Sequence, residues 1–168
     1  MRRQGFTLIE LIITMVIIVI MSTAAFISLN SKNTIILDAA AKKIAGDLKY
    51  VQNLAISTSQ WYGIVFAADP ANSYTVYLYD GNNLVVIDDP AASGKDFIVN
   101  LDETYKGVKI SNVTFDFGTA IYFHPLGTPY VDFNGNEIIN PGSIVLDFYN
   151  KIRTINVTPG TGYVTINN

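Results

Sequence analysis

The chain has 168 residues, 49% of them hydrophobic and 15% charged, with 11 Lys+Arg against 14 Asp+Glu. This length fits one globular domain plus an appendage, and the acidic balance removes any general electrostatic attraction for nucleic acid. There is no cysteine, which excludes disulfides, thiolate metal sites and a cysteine nucleophile.

The first element is an apolar run from Phe6 to Leu29, preceded by Arg2 and Arg3, in which Glu10 is the one ionisable side chain. At about 1.5 Å per residue a helix over this run reaches roughly 36 Å, enough to cross a bilayer. Arg2 and Arg3 favour a cytoplasmic N-terminus. A plain transmembrane anchor is one reading. A secretory signal peptide is another, with Ser22-Thr23-Ala24 as a small-residue cleavage site. The Arg2-Arg3 pair also matches a twin-arginine signal. Glu10 argues against all three. A carboxylate near the bilayer centre costs roughly 2.5–3.5 kcal/mol, and neither an anchor nor a discarded leader has a use for it. Glu10 therefore needs a partner and reads as functional.

Gly5-Phe6-Thr7-Leu8-Ile9-Glu10 resembles the class III signal of type IV pilins and type II secretion pseudopilins. The resemblance implies that a prepilin peptidase cuts between Gly5 and Phe6, removes residues 1–5 as a leader, and methylates the new amino group of Phe6. It implies that Glu10 pairs with the amino terminus of a neighbouring subunit during assembly. Other pilins or pseudopilins, an assembly platform protein and a cytoplasmic ATPase are the implied partners. The implied location is the inner membrane, crossed once with the head outside the cytoplasm, and then the extracytoplasmic pilus or pseudopilus. Many pilins carry a helix breaker in this segment. Here no Pro or Gly stands between Phe6 and Ala45, so melting of the segment is not carried over.

The second element follows a polar stretch, Asn30 to Thr34. Leu37, Ala41, Ile44, Leu48, Val51 and Ala55 recur at alternating steps of four and three, while Asp38, Lys42, Lys43, Asp47 and Lys49 fall off that seam. This predicts an amphipathic helix from about Thr34 to Ser57, continuous with the first or bent near Asn30 to Asn33, with its seam packed on a sheet.

From Trp61 the period changes to that of strands. Strands are expected at Gly63–Ala67, Tyr74–Tyr79, Leu84–Ile87, Phe97–Leu101, Val108–Phe117, Ala120–His124, Tyr130–Phe133, Ile144–Phe148, Ile152–Val157 and Tyr163–Ile166. Turns are expected at Asp80-Gly81-Asn82-Asn83, Asn134-Gly135, Asn140-Pro141-Gly142 and Gly160-Thr161-Gly162. The predicted fold class is α+β: a long N-terminal helix, hydrophobic and transmembrane over residues 6–29 and amphipathic over 30–59, packed on an antiparallel β-sandwich or sheet head over 60–168. The C-terminal third adds a narrower resemblance. Phe123-His124-Pro125-Leu126-Gly127-Thr128, Gly142–Leu146, Arg153–Val157 and Gly162–Ile166 are similar to the GspH/FimT-type minor pseudopilins and minor pilins. In that pattern a Phe-x-Pro-x-Gly turn precedes two strands and a terminal hairpin. The family hairpin often has Arg after its glycine, whereas Tyr163 stands here.

Candidate sites in the head are few. His124, the one histidine, precedes Pro125 at a strand end and reads as structural, since nothing places a serine beside it. Asp132, Asn134 and Asn136 alternate like the start of a calcium loop, but Gly135 is misplaced and no glutamate closes the loop. A hairpin turn is the simpler reading, with calcium as the alternative. Asp88-Asp89 and Asp102-Glu103 are adjacent carboxylates and read as solvated loop charge. Tyr77 and Tyr79 share one strand face, with Tyr62 and Tyr74 nearby in sequence, and read as sheet cover. The GspH/FimT resemblance includes DNA receptors, yet the last third offers only Lys151 and Arg153 as basic residues, so nucleic acid finds little support. No cofactor is expected and no catalytic constellation is present. The expected function is a minor pilin or type II secretion pseudopilin. The alternatives are a pilin whose head captures DNA or another extracellular ligand, and an anchored or secreted enzyme.

Overall fold

The computed structural model describes residues 7–69, 71–116 and 118–167, without the side chains of residues 24–31. The chain divides into two compact units, Met1–Ile35 and Ile36–Asn168. Helix α1, Leu8–Thr58, enters both. Asn30 to Asn33, expected as a continuation or a bend, has helical backbone.

In the first unit the apolar side chains from Leu8 to Met21 are exposed on every face of α1. A helix apolar all round requires an apolar environment or helical neighbours. Thr7 starts it: the N–H of Glu10 donates to the Thr7 carbonyl at 3.1 Å and to Thr7 Oγ1 at 3.3 Å. Among the described residues no helix is long and apolar enough to cross a membrane. The described side chains of this stretch end at Thr23, whereas the apolar run in the sequence reaches Leu29.

In the second unit the predicted seam is the buried face of α1. Leu37, Ala41, Ile44, Leu48, Val51 and Ala55 are fully buried, with Ala40 and Ala45 beside them. The three alanines at positions 40, 41 and 45 present little side-chain bulk, which allows close packing on this face. Among the described residues twelve strands follow: β1 Trp61–Ala67, β2 Ser73–Tyr79, β3 Leu84–Val86, β4 Asp88–Asp89, β5 Ala92–Asp96, β6 Ile98–Asn100, β7 Lys109–Thr114, β8 Ala120–Phe123, β9 Pro129–Tyr130, β10 Gly142–Phe148, β11 Lys151–Val157 and β12 Val164–Asn167. A short helix, α2, covers Leu101–Thr104.

Two antiparallel sheets carry the head. The first runs β3-β2-β1-β8-β9, with β6 also on β2, and the second runs β12-β11-β10-β7. β4 and β5 form a separate hairpin. In β10 burial alternates strictly, with Gly142, Ile144, Leu146 and Phe148 inward, as a strand with one packed face requires. Inward residues of both sheets join the α1 seam in one core, among them Ile64, Phe66, Val76, Ile121 and Phe123 from the first and Ile110, Ile144, Leu146, Ile155 and Val157 from the second.

Four expectations need correction. The strand expected over Phe97–Leu101 stops at Asn100, whose side chain accepts the Asp102 N–H at 2.9 Å and caps α2. Asp102 and Glu103 therefore sit in a first helical turn and not in a loop. The strand expected over Tyr130–Phe133 ends at Tyr130, because Asp132 captures the next amides for a turn of its own. The strand expected to reach Phe117 ends at Thr114, and Phe117 lies outside the described residues. The β4–β5 hairpin was not expected. Asp89 starts its turn by accepting the Ala91 N–H at 2.8 Å.

Candidate functional site

Gly5 and Phe6 lie outside the described residues. Glu10 sits in the first turn of α1 and is exposed. The other polar side chains from Thr7 to Thr23 are satisfied within the helix. Thr7 Oγ1 accepts the Glu10 N–H. Thr14 donates to the Leu11 carbonyl at 2.9 Å, Ser22 to Ile18 at 2.7 Å and Thr23 to Ile20 at 2.8 Å. Such back-bonding hides hydroxyls in an apolar setting. Thr7-Leu8-Ile9-Glu10 has the spacing of a capping box, yet no described residue donates to the Glu10 carboxylate. Glu10 is thus the one side chain of this stretch whose polar group has no partner among the described residues.

The two C-terminal motifs converge on α1 in the second unit. β8 turns into β9 through His124 to Thr128: the His124 N–H donates to the Thr128 carbonyl at 2.9 Å and the Gly127 N–H to the His124 carbonyl at 2.7 Å. His124 Nδ1 accepts the Leu126 N–H at 3.1 Å, and the imidazole stands edge-on to Trp61 at 4.8 Å. His124 is a turn residue, as its sequence position implies. Gln52 of α1 reaches both this turn and the hairpin between β11 and β12. Its Nε2 donates to the carbonyls of Gly127 and Thr161, each at 2.8 Å. Gly162 has φ of +66°, and a Cβ there would stand 2.6 Å from Gln52 Nε2 and 3.0 Å from Phe123 Cε1. Backbone handedness and close approach both require glycine. Nothing in the helix periodicity singles out Gln52. The signal available was the pair of glycine turns, which need a donor once packed against a helix.

Asp132 holds the loop from Val131 to Glu137. Its Oδ1 accepts the N–H groups of Asn134 and Asn136 at 2.9 and 3.3 Å, and its Oδ2 accepts the Asn136 carboxamide at 2.7 Å and that of Asn134 at 3.5 Å. The Asn136 carboxamide above all, with these amides, keeps the Asp132 carboxyl below the usual carboxylate range. The three residues considered for calcium are thus brought together, with both asparagine nitrogens turned toward Asp132. Among the described residues no group of three or more His, Cys, Asp or Glu could hold a metal ion. Asp116 similarly gathers Asn140 and the Ile139 N–H, the latter at 2.7 Å.

The outer face of the first sheet is aromatic. Phe133 stacks on Tyr79 at 4.0 Å and meets Tyr122 at 4.3 Å and Trp61 at 5.6 Å. Burial, Tyr77 and Asp132 together raise the Tyr122 phenol. Tyr77 and Tyr79 are half-buried sheet cover, while Tyr62 and Tyr74 point into the core. Tyr74 bonds through its hydroxyl to Asp47, which also pairs with Lys43 at 2.6 Å. Of the two basic residues of the last third, Arg153 is engaged: its Nε lies 2.6 Å from Asp38 Oδ1 on α1.

Residues 1–26 match the model of the prokaryotic N-terminal methylation motif. The fold is similar to that of the minor pseudopilin EpsH from the type 2 secretion system of Vibrio cholerae, at 10% identity and a TM-score of 0.55, over 77% of this chain and 94% of that one. It is similar also to the type IV minor pilin FimU of Pseudomonas aeruginosa. In one crystal form the identity is 13% and the TM-score 0.50, over 79% of this chain and 88% of that one. In another the identity is 12% and the TM-score 0.51, over 79% and 93%. No curated protein matches the sequence. The chain thus carries a prokaryotic N-terminal methylation motif over residues 1–26 and has a fold similar to those of a minor pseudopilin and a minor pilin.

Proposed function

We propose that the chain is a minor pilin or type II secretion pseudopilin, cut by a prepilin peptidase between Gly5 and Phe6, methylated on Phe6, and assembled into a pilus or pseudopilus. Before assembly it rests in the inner membrane through residues 6–29, with residues 60–168 outside the cytoplasm. Its partners are the peptidase, other pilins or pseudopilins, the platform protein and the ATPase that drives extraction from lipid. The chain itself performs no chemistry.

The observation that carries this reading is Glu10. It is an exposed carboxylate in a helix apolar on every face, and the hydroxyls around it are already satisfied. A carboxylate so placed needs a cation from another molecule. The amine freed at Phe6 of a neighbouring subunit has the required charge and is held close to the apolar helix it must join. The methylation motif over residues 1–26 supports the same step. DNA capture gains no support, because Arg153 is engaged by Asp38.

Two measurements test the proposal. Mass spectrometry of the mature chain is expected to give a methylated N-terminus at Phe6. Glu10→Ala is expected to be processed normally and to be absent from purified filaments. A mature start at Ala25, or undiminished incorporation of Glu10→Ala, overturns it.

A further inference from the structure

Asn134-Gly135 is the one Asn-Gly pair in the sequence. The backbone nitrogen of the residue after an asparagine can close an imide ring on the asparagine Cγ. The reaction needs that nitrogen unshielded, its N–H unengaged and the carboxamide loosely held. The loop from Val131 to Glu137 meets all three conditions at this pair. Both residues are exposed. Nothing among the described residues accepts the Gly135 N–H. A Cβ added at Gly135 would meet nothing within 4 Å, so neither a side chain of its own nor a neighbour covers the nitrogen. The Asn134 carboxamide reaches Asp132 Oδ2 only at 3.5 Å, longer than an ordinary N–H···O bond.

Other asparagines of the head lack one condition or more. Asn72 is buried and its carboxamide makes three bonds. Asn82 precedes Asn83, whose N–H is taken by Asp80 at 2.7 Å. Asn136 is tied to Asp132 at 2.7 Å and precedes Glu137, which carries a side chain. Asn140 precedes Pro141, which has no N–H to lose.

We propose that Asn134 is a self-modification site, at which the folded chain loses the carboxamide through an imide formed with Gly135. The bond from the Gly135 nitrogen to Asn134 Cγ forms and the bond from Cγ to Nδ2 breaks. The proton from the Gly135 nitrogen ends on the departing ammonia. Water, the one co-reactant, then opens the imide at either carbonyl. Addition at Cγ breaks its bond to the Gly135 nitrogen and leaves an aspartyl residue. Addition at the main-chain carbonyl of residue 134 breaks the other bond and leaves an isoaspartyl residue, whose main chain runs through the former side chain and is longer by a methylene.

Either product loosens the loop. A carboxylate replaces the amide that faced Asp132 Oδ2, so a donor becomes a like charge. The isoaspartyl form also lengthens a loop closed by the Val131 N–H on the Asn136 carbonyl at 2.9 Å. That loop carries Phe133, which covers Tyr79 and Tyr122. The modification belongs to the head and is independent of how the N-terminal helix assembles.

The test incubates the full chain, folded in detergent, in neutral buffer and follows it by peptide mass spectrometry. Protein isoaspartyl methyltransferase with a labelled methyl donor marks the isoaspartyl product. The peptide holding Asn134 is expected to exchange its amide for a carboxyl over time and to take up the label, while Asn82 and Asn136 stay intact. Amide exchange at Val131 and Asn136 is expected to quicken as the converted fraction grows. Asn134→Gln, whose longer side chain would have to close a larger ring, is expected to lose the label. The proposal is overturned if Asn134 stays intact in the folded chain while a urea-unfolded sample converts, since the loop then protects it. It is equally overturned if neither sample converts, if Asn82 or Asn136 converts as fast, or if the label persists in Asn134→Gln. The site is mapped on the parent chain, so the result stands whether or not the variant folds.

Discussion

Replacing Asn72 is expected to be among the most damaging single changes in the head, although the residue follows a surface turn. It is 1% exposed and has φ of +45°. Its Nδ2 donates to the Val108 carbonyl at 2.7 Å and to Asp102 Oδ1 at 2.9 Å, and its Oδ1 accepts the Ile110 N–H at 2.8 Å. One side chain thus ties the β1–β2 turn to α2 and to the start of β7. Asn72→Ala strands the Ile110 N–H and the Val108 carbonyl away from water, at about 1–3 kcal/mol each. It also puts a Cβ-bearing residue without a local hydrogen bond in left-handed backbone, which costs about 1 kcal/mol more. The expected loss is about 4 kcal/mol. Urea unfolding of the full chain in detergent, read by the single tryptophan, Trp61, resolves it. With a slope of about 1.5 kcal/mol per molar urea the midpoint falls by roughly 2–3 M. Asn72→Gly removes the same bonds but accepts the backbone, so it should retain about 1 kcal/mol relative to alanine. A midpoint for Asn72→Ala within about 0.5 M of the parent would refute the assignment of buried, unreplaced bonds. Equal midpoints for alanine and glycine would refute the strain.

Gln52→Ala removes both bonds to the C-terminal turns and is expected to cost about 1–3 kcal/mol, with faster amide exchange at residues 124–128 and 158–163 and unchanged exchange in β2. Asp80, Asp116 and Asp132 all have lowered pKa values, from hydrogen bonds to Asn83, Asn140 and Asn136 first. Their contribution is present above the unfolded carboxylate value near about pH 4 and is lost as pH falls through the folded values. The head should therefore weaken in that acid range, and Asp132→Asn should flatten part of the acid limb of an unfolding curve. Tyr74 is shifted upward, by burial first and then by Asp47. In alkali the unfolded chain ionises near about pH 10 while the folded phenol does not, so stability falls as pH rises above that value. Tyr74→Phe removes that alkaline loss at the expense of its bond to Asp47, and absorbance of phenolate during unfolding checks it.

Much of the head was legible in the sequence because burial repeats with the period of its backbone. The seam from Leu37 to Ala55 needed only the helical period, and every residue named for it is fully buried. Strand β10 likewise alternates strictly between inward and outward residues, and the β1–β2 and β10–β11 pairs fall on the runs expected to be strands. The misreadings fall where side chains compete with the backbone ladder. Asn100 and Asp132 each capture nearby amides and end a strand that hydropathy alone would extend. Asn100 two residues before Asp102-Glu103 was a readable cap signal. The β4–β5 hairpin was not readable, since Ala92 to Asp96 is polar and largely exposed. Phe133 was read as a strand residue and is instead a loop residue covering Tyr79 and Tyr122.

The sequence by itself determined the apolar helix with its single carboxylate, the buried seam that follows, and the positions of most strands. These depend on local order and on the free energy of removing apolar side chains from water, and both are written in residue spacing. Only the tertiary structure decided that Gln52 binds two turns far from it in the chain, that Asn72 joins three segments, and that the loop held by Asp132 brings Phe133 onto Tyr122. Those pairings depend on which backbone groups packing brings within about 3 Å of one another, and residue order alone does not contain that distance.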